Sequence, residues 1–183
     1  TINFNVIPGK RIHVSQVFID GNDTTDDTVI RRELRQMDGS WLSSEAIEVS
    51  KSRLNRTGYF ETVDVTTENA GSTDDTVNVR TKVKERPTGS ITGGIGFGTD
   101  SGLTIQAGIS QNNLFGWGKR ANISSYENDY RKHMEIGLTD PYFTVDRVSL
   151  GGRIYLDKYD GDDDEDVVDY SNDSYGLSLS LGY

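Results

Sequence analysis

The chain of 183 residues has no cysteine, so disulfides and thiolate metal sites are excluded. It also lacks an excess of basic charge. Its 19 Lys and Arg stand against 29 Asp and Glu, a net of −10, which argues against nucleic acid as a partner. No apolar run approaches the roughly 20 residues of a transmembrane helix. That absence leaves strands open, because a barrel strand crosses a bilayer with about 9–11 residues and one apolar face. Histidine is scarce. His13 and His133 are the only two, and neither has the HExxH or paired-cysteine surroundings of a zinc ligand. Carboxylates are abundant, but nothing localises a catalytic pair. The sequence therefore implies no enzyme, no metal and no cofactor.

The texture changes at Pro87. Five glycines fall in the first 87 residues and 15 in the last 96. The first part carries a net of −2 and the second −8, much of it between Asp157 and Asp169.

In the first part, Phe4 and Val6 alternate before Pro8 and Gly9, like the last strand of a preceding domain over residues 1–8. Residues 9–87 then form a small unit of their own. Residues 11–19 predict a strand, with Ile12, Val14 and Phe18 on one parity and Val17 and Ile19 on the other. Asp20-Gly21-Asn22 ends it in a turn. A helix capped near Thr25 follows, with Asp26 and Asp27 in its first turn. Its apolar stripe is Val29, Ile30, Leu34 and Met37, and Gly39 stops it. A second helix runs from about Ser43 to Arg56, with Ala46, Ile47, Ser50 and Leu54 inward and Gly58 at its end. Phe60, Val63 and Val65 start a strand, residues 70–74 turn, and Val77, Val79, Thr81 and Val83 alternate. The order β-α-α-β-β predicts a two-layer α+β domain with bare strand edges.

Residues 88–183 lose the helical period and show six alternating segments instead. The first places Ile91, Ile95 and Phe97 on one side, with Thr92, Gly94, Gly96 and Gly98 on the other. The others centre on Leu103 to Ile109, Ala121 to Ile123, Met134 to Leu138, Val148 to Leu156 and Leu177 to Leu181. Period two alone fits a soluble all-β domain as well. A membrane barrel is favoured because the polar parity is mostly Gly, Ser, Asn and Gln, and the apolar parity carries almost no charge. The connectors also differ by side. Residues 114–118 and 140–146 are aromatic-rich, whereas 99–102, 127–131 and 157–173 are polar. In the last of these, Asp160 to Asp166 invites a calcium reading, but the glycine falls too early for an EF-hand and no flanking helices are predicted. A solvated loop is favoured, with weak divalent-cation association left open.

The motifs are specific. Val14 to Asn22, Val29 to Met37 and Leu54 to Val63 resemble the opening strand, first helix and second-helix exit of a POTRA domain. Gly93 to Gly98 and Leu138 to Phe143 resemble the first strand and a later block of the barrel that follows it. The whole chain resembles the POTRA-plus-barrel family of outer-membrane protein-assembly factors.

The resemblance implies that residues 9–87 are the membrane-proximal POTRA domain, in the periplasm. It implies that 88–183 are the first six strands of an outer-membrane β-barrel. The expected function is folding and insertion of β-barrel precursors. In that role the first barrel strand, Ser90, Ile91, Thr92, Gly93, Gly94, Ile95, Gly96, Phe97 and Gly98, is the lateral gate. Arg35, Gln36, Met37 and Asp38 are the expected contact for an accessory lipoprotein, although Asp38 stands where the family tends to carry the longer glutamate. The other implied partners are unfolded β-barrel precursors, periplasmic chaperones, and lipid and lipopolysaccharide. A two-partner-secretion or autotransporter-assembly translocator of the same superfamily is the alternative. The absence of a signal peptide and of further barrel strands leads us to expect a piece of a longer protein.

Overall fold

The structure is a computed structural model and describes residues 9–71, 75–161 and 170–183. The proposed strand over residues 1–8, most of the 70–74 turn and the Asp162–Asp169 part of the acidic run lie outside the described residues. The chain divides into two compact units, 1–87 and 88–183, described separately.

The first unit contains β1 (His13–Asp20), α1 (Asp27–Arg31), α2 (Ser44–Thr57), β2 (Phe60–Asn69) and β3 (Thr76–Glu85). The sheet order is β1-β3-β2, with β3 parallel to β1 and antiparallel to β2. Val77, Val79, Thr81 and Val83 send one parity of β3 into the core, as the alternation predicts. Ile30 and Leu54 from the two helices and Val14 from β1 are fully buried against them. Each such side chain stabilises by about 1.5–3 kcal/mol relative to exposure.

Two local predictions need correction. In β1, where the sequence puts Val14 and Phe18 on one parity and Val17 on the other, a bulge between Val14 and Val17 turns both valines inward, at 0% and 5% exposed. Phe18 instead faces outward beneath the Arg80 guanidinium, 5.2 Å from its ring centroid. The first helix is only five residues long, capped by Asp26 rather than Thr25. Beyond Arg31 the chain tightens into i→i−3 turns, the Glu33 and Leu34 N–H groups donating to Ile30 O and Arg31 O at 2.9 and 3.1 Å, and the Arg35 N–H then donates to Ser50 Oγ of α2 at 2.7 Å. Ser50 Oγ in turn donates to Ala46 O at 2.6 Å, so a hydroxyl only 2% exposed welds the two helical segments together. The second helix follows expectation. Ser43 Oγ accepts the Ala46 N–H, and Gly58 closes the helix at φ 72°.

Gly21 has a different reason to be glycine. Its φ is +89°, and a Cβ there would lie 2.0 Å from the Val83 carbonyl oxygen, so the turn after β1 has no room for a side chain.

The second unit is a single antiparallel sheet in sequence order. Its strands are β4 (Gly89–Gly98), β5 (Gly102–Gln111), β6 (Arg120–Glu127), β7 (Arg131–Asp140), β8 (Ser149–Asp160) and β9 (Ser171–Gly182). The six predicted strands are all present, in a continuous meander with β4 and β9 at its edges. No helix among the described residues is long and apolar enough to cross a membrane.

Candidate functional site

The register of the second unit turns one face into continuous apolar rows. Ile91, Ile109, Ile123, Ile136, Ile154 and Leu177 stand directly opposite one another across all six strands. These six residues are 47–83% exposed, so a whole face of branched aliphatic side chains lacks protein cover. Such a surface far exceeds what a soluble monomer tolerates and matches a lipid-facing wall.

The opposite face is polar. Ser90 and Ser110 hydroxyls meet at 2.7 Å. Arg131 forms a two-pronged pair with Asp157 at 2.8 and 2.6 Å, and Arg153 lies 3.5 Å from Glu135. His133 sits between those carboxylates, 3.8 Å from each, and stacks on Tyr155. It is part of the polar wall formed by these side chains. Among the described residues no group of three or more potential metal-binding side chains converges. His13 packs edge-on against Trp41.

The predicted gate residues, Ser90 to Gly98, all lie on β4, which among the described residues pairs with β5. Between Ile91 and Ile95 the apolar parity is interrupted by Gly93. Its row reads Gly93, Ala107, Ser125, Met134, Leu156, Tyr175, so side-chain bulk falls steadily toward β4. Crowding does not explain Gly93, since a Cβ there would meet nothing closer than 4.0 Å. On the polar parity, by contrast, a Cβ on Gly94 would lie 2.7 Å from the Gln106 side chain.

The predicted lipoprotein segment occupies the loop between α1 and α2. Arg35, Met37 and Asp38 are exposed. Gln36 is only 3% exposed and is spent internally. Its amide donates to Ser40 Oγ and Trp41 O, and its carbonyl accepts the Ser43 N–H. Its side chain shapes the loop. Asp38 is also committed. Its carboxylate accepts the Val17 N–H at the β1 bulge and meets Arg31 at 3.4 Å. Trp41, which the sequence reading did not single out, is 56% exposed, with the Arg11 guanidinium 5.7 Å from its ring. The signal was available: a tryptophan in a loop, outside either amphipathic stripe.

The aromatic connectors adopt tight, specific backbones. Phe115 has φ 53° and packs edge-on against Trp117 at 5.4 Å, and both rings are more than half exposed. Asn113 is buried, and its side-chain oxygen accepts the Gly118 N–H at 2.7 Å, holding the pair outward. Tyr142, in the other connector, lies under the Arg147 guanidinium.

Comparison with known proteins agrees with this geometry. Residues 12–86 match the POTRA model, described as a surface antigen variable number repeat, and residues 113–183 match the Omp85 superfamily domain. The chain is 32% identical over its full length to the outer membrane protein assembly factor BamA of Buchnera aphidicola subsp. Acyrthosiphon pisum, covering 29% of that protein. It is 38% identical over 87% of its length to BamA of Neisseria meningitidis serogroup B, covering 20% of it. The chain thus spans less than a third of the curated relatives it matches. A crystal structure of BamA from Haemophilus ducreyi lacking POTRA domains 1–3 superposes with a TM-score of 0.84 at 43% identity, over 94% of this chain and 32% of that one. CdiB from Acinetobacter baumannii shares the fold alone, at 12% identity and a TM-score of 0.62. With a POTRA match on one unit, an Omp85 match on the other and similarity to BamA across both, the chain belongs to the POTRA-bearing Omp85 superfamily.

Proposed function

We propose that the protein carrying this chain folds and inserts β-barrel precursors into the outer membrane, with β4 as the strand that opens. It resides in the outer membrane with its POTRA domain in the periplasm. In this reading residues 9–87 are the membrane-proximal POTRA domain and 88–183 are the first six barrel strands. Identity to BamA across both units favours this over the secretion-translocator alternative.

The observation that carries the reading is the weak lipid-facing side of an edge strand. β4 is the first strand of the sheet and carries a glycine where the apolar row needs bulk. An edge left unpaired in hydrocarbon is costly, since each unsatisfied backbone group costs several kcal/mol. A precursor strand that adds to β4 satisfies those groups by β-augmentation, so no nucleotide or cofactor is required. Gly93 lowers the side-chain contacts that must be broken when β4 parts from its resting neighbour.

The POTRA unit receives precursors from periplasmic chaperones and anchors an accessory lipoprotein through the Arg35–Asp38 loop. Arg35, Met37 and Asp38 are the residues of that loop able to touch a partner. Because Asp38 also holds the β1 bulge, charge reversal there would damage the fold as well as the contact. Met37→Glu separates the two, since it adds charge to an exposed side chain.

The function is tested with photocrosslinkers at Thr92 and Gly94 in the full-length protein. The expected partner during assembly is the terminal strand of a stalled precursor, and at rest the protein's own last strand. Crosslinks confined to β5 in both states would contradict the reading.

A further inference from the structure

The six strands of the second unit are not joined with equal strength. Cross-strand side-chain pairs stabilise a sheet, and here the ladders differ in what their pairs do. β4 and β5 pair over their whole length, from Gly89–Gln111 to Gly98–Gly102. On the apolar face Ile91, Ile95 and Phe97 stand opposite Ile109, Ile105 and Leu103. On the polar face the Ser90 and Ser110 hydroxyls meet, Thr92 Oγ1 donates to Gly108 O at 3.4 Å, and the Gln106 side chain lies over Gly94. Beyond β6 the strands are tied again. Lys132 reaches Glu127 at 2.8 Å, Arg131 holds Asp157 at 2.6 Å, and the Tyr155 ring lies across Gly176. The β5–β6 ladder is the exception. It runs from Ile105–Glu127 to Gln111–Ala121 and leaves Gly102, Leu103 and Thr104 of β5 without a β6 partner in register. Ile109 faces Ile123, but Ala107 faces Ser125 and Gly108 faces Ser124. Among the described residues no side-chain hydrogen bond or ion pair joins these two strands. Over the seam the polar face sinks into a depression of about 290 Å³ between Thr92, Gln106, Ser124, Tyr126 and His133.

We infer that the β5–β6 seam is the hinge of the gate: when β4 parts from its resting neighbour, β4 and β5 swing together as one hairpin while β6 to β9 hold still. The inference rests on the gate reading above and adds which strands move. The backbone ladder across the seam stays closed, because each unpaired group in hydrocarbon costs several kcal/mol. What yields is the side-chain layer. Gly108 brings no side chain to the crossing, and the unfilled depression leaves room for the two strands to rotate about their ladder. The connector between them is the pivot. It is a closed turn, with the Leu114 N–H donating to Lys119 O at 2.9 Å and Asn113 Oδ1 accepting the Gly118 N–H at 2.7 Å. Displacement therefore grows toward the Gly98 end, where β5 already runs past β6 and the Asp129 N–H reaches Ser101 O at 3.4 Å from the β6–β7 turn. The bonds within the hairpin keep β4 straight on β5 throughout the swing.

The test staples neighbouring ladders of the full-length protein on the same face. Ala107→Cys/Ser125→Cys closes the seam, and Ser125→Cys/Met134→Cys closes the next ladder. Both pairs are directly opposed in register, at the Cα separation of about 4.5–5.5 Å that a disulfide spans. Gel mobility verifies closure and fold, and precursor insertion is followed before and after reduction. The oxidised seam staple should slow insertion several-fold and recover on reduction. The β6–β7 staple should insert at the parent's rate in both states. Spin labels give the motion without a staple: a stalled precursor should shift the distance from Leu103 on β5 to Met134 on β7, while that from Met134 to Leu156 on β8 holds. Normal insertion through the closed seam staple would overturn the hinge. So would equal slowing by both staples, or a Leu103–Met134 distance that does not move. A disulfide from β4 to the protein's own last strand, run in parallel, separates the two readings. If it blocks insertion while the seam staple does not, the hinge alone fails. If insertion runs at the normal rate through that lock as well, the gate reading falls and the hinge with it.

Discussion

The carboxylate of Glu85 stands at the end of β3 and accepts the backbone N–H groups of Thr24 and Thr25, at 3.0 and 2.6 Å. It ties the last core strand to the turn that precedes α1. Burial pushes its pKa up, but the hydrogen bonds from Thr25 and Thr24 outweigh burial and hold it below its ordinary 4.5. A folded-state pKa lowered in this way stabilises the native state above the unfolded value, and the contribution is lost as pH falls through the folded one. Glu85→Gln should therefore flatten the acid limb of POTRA stability below about pH 4.5. Urea denaturation from pH 3 to 7 checks this, and parallel curves for parent and variant would refute it. Asp26 behaves alike. Its carboxylate caps α1 through the Thr28 N–H and hydroxyl, which lower its pKa.

At the scale of elements, the proposed function rests on β4. The steric space at Gly93 makes a specific prediction. Gly93→Val should fold normally, because its nearest heavy atom stands 4.0 Å from the new Cβ. It should also strengthen the row that runs through Ala107 and slow precursor insertion several-fold by stiffening the edge. Heat-modifiable gel mobility reports the fold and a reconstituted insertion assay the rate. An unchanged rate with an intact fold would remove Gly93 from the gate. Elements were legible to unequal degrees. The six strands of the second unit were readable because lipid on one face and water on the other impose a strict period of two. In β1 the period broke, because the Ser15-Gln16 bulge depends on Asp38, more than 20 residues away in sequence, accepting the Val17 N–H. The first helix was read too long for a related reason. Leu34 does return to the core, but through a loop whose N–H is claimed by Ser50, and no local pattern announces that bond. The gate strand could be picked out as a glycine-rich segment. The separation of Gly93 from Gly94, Gly96 and Gly98 by face was also legible, while the falling bulk along its row needed the register of all six strands.

For the whole molecule, chain direction fixes topology. With the POTRA unit in the periplasm, Asp100 in the β4–β5 turn should be outside and Asp146 in the β7–β8 connector inside. This chain has no cysteine, so Asp100→Cys and Asp146→Cys variants give a clean readout. An impermeant maleimide should label the first on intact cells and the second only after the outer membrane is breached. Reversed labelling would invert the barrel.

The account stands or falls on whether β4 must part from its resting neighbour for a precursor to enter. The most direct measurement is a reversible disulfide between a cysteine in residues 90–98 and one in the protein's own last strand. Closure is verified by gel mobility, and barrel insertion is followed before and after reduction. The account predicts that the oxidised protein is folded but inserts no precursor, and that reduction restores insertion. Insertion at the normal rate through a fully closed lock would contradict it.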